Sequence, residues 1–155
     1  MPSHVGTIHP KPSFSGVDGT EVWEARQEIQ SFVCTAADVA VGEWVALDTS
    51  VSGANKIINS IKKAAAVATH GNAMVIGVAL DATSGGAVGQ VIRVCTAGVC
   101  TAAVTGSTAV GSPLTVIGTA GVGSLTTAAA VAGVCGVTLA AESGGLATVC
   151  VFKKI

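Results

Sequence analysis

The stretch Val75–Val94, VIGVALDATSGGAVGQVIRV, reads against Val134–Phe152, VCGVTLAAESGGLATVCVF. Gly77, Val78, Leu80, Ala82, Ser84, Gly85 and Gly86 match Gly136, Val137, Leu139, Ala141, Ser143, Gly144 and Gly145 at one constant offset. Past the double glycine the pattern holds if one residue is deleted. Upstream, Val41-Gly42-Glu43-Trp44-Val45 is loosely echoed by Val110-Gly111-Ser112-Pro113-Leu114. What recurs is turn glycines and apolar strand positions. A double glycine suits a two-residue hairpin because both central positions need positive φ. The two stretches therefore predict a strand, a Ser-Gly-Gly turn and a second strand, used twice. Nothing in the repeat carries chemistry, which points to a structural protein.

Composition works in the same direction. A chain of 155 residues is long enough for one core, or one domain plus an arm. Half of its residues are hydrophobic, mostly Ala and Val, and 11% are charged, against about 25% in ordinary soluble proteins. From Val94 to Ala141 no side chain is charged. Such a surface must be covered by Ser, Thr, Ala and Gly, which resist neither self-association nor docking onto another protein. A net charge of −1 gives no reason to expect a nucleic-acid partner. Gly, Ser, Thr or Pro interrupts the apolar stretch every few residues, which argues for turns rather than a membrane span. The N-terminus has no basic start and no apolar run, so no signal peptide is expected.

Residues 1–28 differ from the rest. Three of the four prolines, Pro2, Pro10 and Pro12, lie there with two of the three histidines, and no strand alternation is visible. Each proline biases its predecessor toward extended geometry. An extended arm is expected, either a polar connector or a segment lying along another subunit with Phe14 and Trp23 as anchors. The second reading is preferred, because aromatic side chains dominate contact energetics. Pro10, Pro12, Phe14, Val22, Trp23 and Trp44 are the expected interface residues, Trp44 being also readable as a core or seam residue.

The β-rich domain is expected over 29–155. IQSFVCT (29–35) and GEWVALD (42–48) alternate as strands. Further strands are expected near 74–80, 88–95, 98–105, 113–117, 122–127, 133–139 and 146–152, with turns between them. At this spacing the pattern predicts an all-β fold, a compact barrel or sandwich. KIINSIKKAAAVATH (56–70) leaves two readings open. Ile57, Ile61, Ala64, Ala65 and Ala68 would share one helical face, while KIINSI also suits a short strand followed by a loop.

Groups that could do chemistry are scattered. His4 and His9 fall in the arm, and His70 stands alone, without the partners a catalytic triad requires. Asp81 and Glu142 precede the two Ser-Gly-Gly turns and are expected as turn formers or solubilising charges rather than as an acid/base or metal pair. Cys34, Cys95, Cys100, Cys135 and Cys150 sit among Val and Ala without metal-ligand spacing. They read as reduced, buried hydrophobes. The glycine runs lead into β-type residues and lack a following GKS or GKT, so no phosphate loop is formed. No catalytic residue, cofactor or metal is expected.

VGEWVALD, MVIGVALDATSGGAVGQVIRVCTAG, VGSPLTV and VCGVTLAAESGGLATVCVF together resemble the small capsid decoration, or cement, proteins of tailed bacteriophages. The resemblance covers roughly residues 30–152 and rests on glycine and valine patterns. It implies a virion protein made in the host cytoplasm and placed on the outer surface of the capsid. There it would clamp neighbouring major capsid protein subunits, as a homo-oligomer, with a trimer expected and a dimer the alternative. Neither nucleic acid nor membrane is an implied partner. The Pro- and His-containing arm and the insertion around Asn55–His70 depart from the family pattern. Other readings are a tail-tube or fibre-base module, and a small-ligand or enzymatic barrel using Asp81 or Glu142.

Overall fold

The computed structural model describes residues 27–83, 88–106, 108–125 and 133–154. These are predominantly β: β1 Gln27–Cys34, β2 Trp44–Leu47, β3 Ser60–Lys63, β4 Val75–Ala79, β5 Gln90–Thr105, β6 Pro113–Thr119, β7 Val122–Leu125, β8 Gly136–Thr138 and β9 Leu146–Val151. One short helix, α1 (Ala54–Ile57), precedes β3. The region 56–70 thus resolves as the end of a helical turn, a strand and a loop. The first described strand includes Gln27 and Glu28, two residues earlier than the domain start expected from alternation.

All nine strands belong to one sheet in the order β1-β3-β2-β4-β5-β7-β6-β8-β9, and β5 pairs in addition with both β1 and β9. Those extra pairings close the sheet twice. The first ring is β1-β3-β2-β4-β5, and the second is β5-β7-β6-β8-β9. Two five-stranded rings therefore share the long strand β5. Closure removes sheet edges that would otherwise template aggregation.

The rings repeat each other pairing for pairing. In the first, β1 runs parallel to β3 and every other contact is antiparallel. In the second, the C-terminal half of β5 runs parallel to β7 and every other contact is antiparallel. Register agrees as well: Val45 faces Gly77 as Leu114 faces Gly136, and Val78 faces Cys95 as Val137 faces Cys150. The duplicated strand–turn–strand unit, β4–β5 and β8–β9, is thus the last part of a repeat of five strands. Val78 to Val137 is a step of 59 residues and Cys95 to Cys150 one of 55. Four residues, not one, separate the repeats beyond the double glycine, because the β4–β5 connection is longer than the β8–β9 connection. At the second of these, Ser143 bridges Leu146 around Gly144 and Gly145, with φ of 63° and 82°, the two-residue hairpin expected from the sequence. Ser84–Gly86 lie outside the described residues.

Strands expected separately at 88–95 and 98–105 are one strand. Gly98 marks the passage from one ring to the other: it pairs with both Gln27 and Val151, residues before it face β1 and residues after it face β9. A bulge at Thr96, which no β1 residue faces, accommodates the change of partner.

The first ring is filled by Phe32, Cys34, Val39, Val45, Ile61, Ile76, Ala79, Ile92 and Val94. At equivalent positions the second ring has smaller groups, Ala102 for Phe32, Gly123 for Ile61 and Ala147 for Ile92. Trp44, from the first ring, makes up the difference. Its side chain is fully buried in one cluster with Ala102, Val104, Leu114, Ala147 and Val149. A Cβ on Gly123 would lie 2.8 Å from the indole Nε1, and one on Gly136 2.9 Å from Cη2. The Nε1–H donates to the Ala103 carbonyl at 3.0 Å, so the buried polar edge is satisfied.

Candidate interaction surface

Of the interface residues expected from sequence, Pro10, Pro12, Phe14, Val22 and Trp23 lie outside the described residues. Trp44 is corrected. The indole sits wholly in the core because Gly123 and Gly136 leave it room, and it presents nothing to a partner.

The described surface carries a different apolar set, and much of it is duplicated. Ala40-Val41-Gly42-Glu43 forms a turn closed by Glu43 N–H donating to Ala40 O at 3.2 Å; Ala109-Val110-Gly111-Ser112 forms the same turn with Ser112 N–H to Ala109 O at 3.2 Å. Gly42 and Gly111 sit at φ 86° and 83°, the left-handed third position of a type II turn. A non-glycine residue there would be strained, which explains why both repeats keep glycine. The preceding Val is pushed outward, Val41 61% exposed and Val110 66% exposed. A second exposed pair is Val91 and Leu146, which face Val33 and Ala103 across equivalent ladders.

Both turns are held firmly, by different side chains. Glu43 Oε2 accepts Ala40 N–H at 2.8 Å, while its Oε1 is 3.1 Å from Lys63 Nζ, which also pairs with Asp38 at 3.2 Å. In the second repeat Thr138 Oγ1 accepts Ser112 N–H at 2.9 Å and donates to Ala109 O at 2.5 Å. Burial opposes the charge on Lys63, but the two carboxylates outweigh it and raise its pKa. A turn fixed beforehand loses little entropy when it docks.

The remaining polar groups serve the scaffold. Asp81 accepts a forked pair from Arg93, at 3.0 and 2.7 Å, and the Arg93 backbone N–H at 2.9 Å. The Arg93 hydrogen bonds hold its pKa down, to about 2. Glu142 Oε1 accepts Gly145 N–H at 2.6 Å and so braces the hairpin. Glu142 thus acts as a turn former, whereas Asp81 is held by Arg93 and the turn that follows it lies outside the described residues. Asp48 is buried and accepts from Lys62 Nζ, Ser50 Oγ and Thr35 Oγ1 at 2.8, 2.6 and 2.6 Å. Lys62, then the Ser50 and Thr35 hydroxyls, hold its pKa well below the usual carboxylate range. His70 is exposed, with Nδ1 2.8 Å from the Gly71 carbonyl.

All five cysteines are free thiols, four buried and Cys150 partly exposed. Burial pushes the Cys135 thiol up to about 12. Among the described residues no three His, Cys, Asp or Glu side chains are grouped to hold a metal ion, and no helix is long and apolar enough to cross a membrane.

Sequence reasoning found the Val-Gly echo at 41–45 and 110–114 but read it as scaffold. The outward valines were signalled by their place before a turn glycine. No protein-family model matches the chain, and no curated protein matches it in sequence.

Proposed function

We propose that this protein is a non-enzymatic structural component of a phage virion, a decoration protein that binds the outer surface of the capsid and clamps neighbouring major capsid protein subunits. The observation that carries the reading is the pair of equivalent, rigid turns presenting Val41 and Val110. A surface written twice suits a target that is itself repeated, such as adjacent copies of one shell subunit. Two modest contacts on a single rigid body act together through effective concentration. Residues 1–26, with Phe14 and Trp23, would add a further contact to a neighbouring subunit.

The test is binding to purified heads that lack the protein. Wild type should saturate a fixed number of sites per particle and raise the temperature at which heads release DNA. Val41→Asp and Val110→Asp should each weaken binding, and the double variant should abolish it. Binding that survives the double variant overturns the reading.

A further inference from the structure

Among the described residues, ring closure leaves part of the β1 edge without a partner strand. Val33 N–H donates to Asn59 O at 2.9 Å and Thr35 N–H to Ile61 O at 2.8 Å, on the side of β1 away from β5. Amides two residues apart in a strand point the same way. Those of Gln27, Ile29 and Ser31 therefore point to that side too. β3 covers it only at Val33 and Cys34, and no other described strand lies there. The bulge opposite this segment is on β5, so β1 itself stays regular. Exposed edges are normally blunted by charge, Pro or a bulge; Gln27–Ser31 has no Lys or Pro, and its one charge, Glu28, is paired with Lys153 Nζ at 2.8 Å.

We infer that this edge pairs with the same edge of a second copy of the chain, forming a twofold antiparallel β1–β1 ladder centred on Ile29. Such an interface is isologous, with each strand supplying the same groups. Centring on Ile29 sets Ile29 opposite its own copy and Gln27 opposite Ser31, so apolar meets apolar and polar meets polar. About six backbone hydrogen bonds would form, two for each of three hydrogen-bonded pairs. Ile29 is 45% exposed in the single chain and would be covered. Glu28 brings no free charge to the ladder, because its carboxylate is held by Lys153 Nζ and Gln30 Nε2, each at 2.8 Å.

A second copy fits the edge better than the chain's own preceding residues. They join β1 at Gln27 and would have to double back to reach it. Pro2, Pro10 and Pro12 cannot donate to a ladder, which leaves 13–26 as the longest preceding stretch free of proline. The inference stands on the strand edge alone and is independent of the surface the protein occupies.

The experiment is sedimentation of the full chain over a concentration series, with amide exchange at Ile29 and Ser31. A species of twice the 15.1 kDa chain mass is expected, together with protection of both amides that grows with concentration. Ile29→Lys sets two like charges opposite each other and should weaken self-association at least about tenfold. Ile29→Glu should do the same, and mixing the two variants should restore a heterodimer. The side chain is half exposed on the outer face, so circular dichroism should show both variants folded. A wild type that stays monomeric overturns the inference, as does a dimer indifferent to both variants. Protection of the two amides that does not change with concentration would mean the chain covers its own edge, and also overturns it.

Discussion

Trp44 and Gly136 are complementary: the indole occupies the space into which a side chain at 136 would project, with a Cβ there falling 2.9 Å from Cη2. The first ring thereby plugs the second, whose own interior positions carry Ala102, Gly123 and Ala147. Trp44→Ala should lower stability by about 3–5 kcal/mol, the cost of emptying a large buried aromatic site. Gly136→Ala should cost about 1–3 kcal/mol through overpacking, since its Cβ would also lie 2.6 Å from the Cys150 carbonyl. Denaturant unfolding of both variants checks this, and an unchanged midpoint for Trp44→Ala would contradict the plug.

Asp48 predicts the acid limb of the stability curve. Its folded pKa is depressed, with Lys62 the largest cause, while an unfolded Asp titrates near about 3.9. The carboxylate's contribution is therefore complete above that value and is lost as pH falls below it toward the folded pKa. Asp48→Asn should flatten stability between about pH 5 and 2 and lower it at neutral pH by about 1–3 kcal/mol, because the Lys62, Ser50 and Thr35 donors lose an acceptor. Urea midpoints measured across that range decide the matter. A wild type and variant with parallel curves would rule it out.

Thiol chemistry should separate the cysteines by burial. Denatured without reductant, the chain should yield all five thiols. Folded at neutral pH, it should react first at Cys150, the partly exposed one, and slowly at Cys100 and Cys135, where the contact with Cys95 and burial in the one case, and burial in the other, disfavour the thiolate. Peptide mapping after timed alkylation reads the order. Recovery of only one or three thiols from denatured, unreduced protein would reveal disulfides instead.

On the capsid reading, Trp23 is an anchor of the arm. Trp23→Ala should weaken attachment to heads by about 2–4 kcal/mol, the range of a central aromatic contact, and leave the melting temperature of the free protein unchanged. Equal affinity for heads would remove the arm from the interface; a lowered melting temperature would assign Trp23 to the core.

Much of this architecture is legible in the residues because turn glycines and strand alternation are local signals. The Val75–Val94 and Val134–Phe152 match exposes the duplication, and Gly144-Gly145 form the hairpin that their identity requires. Ring closure is not local. It depends on β5 pairing with β1 on one half and β9 on the other, across sequence distances that no periodicity records. Trp44 shows the same limit at the site level. Scarcity of aromatics marks it as important, but only the missing side chains at Gly123 and Gly136 decide that it faces inward. Val41 and Val110 were hidden for the opposite reason, since valine in a β-rich chain reads as core until the turn beneath it is seen.

The shared strand has a consequence for how the molecule is made. During synthesis the first ring cannot close until β5 has emerged, because β1 and β4 both wait for it. Once it has closed, the same strand extends beyond Gly98 as a ready edge for β9 and β7. The later half of the chain is thus laid down on a template already set by the earlier half. That turns slow, long-range strand pairing into a vectorial process running from the N-terminus to the C-terminus.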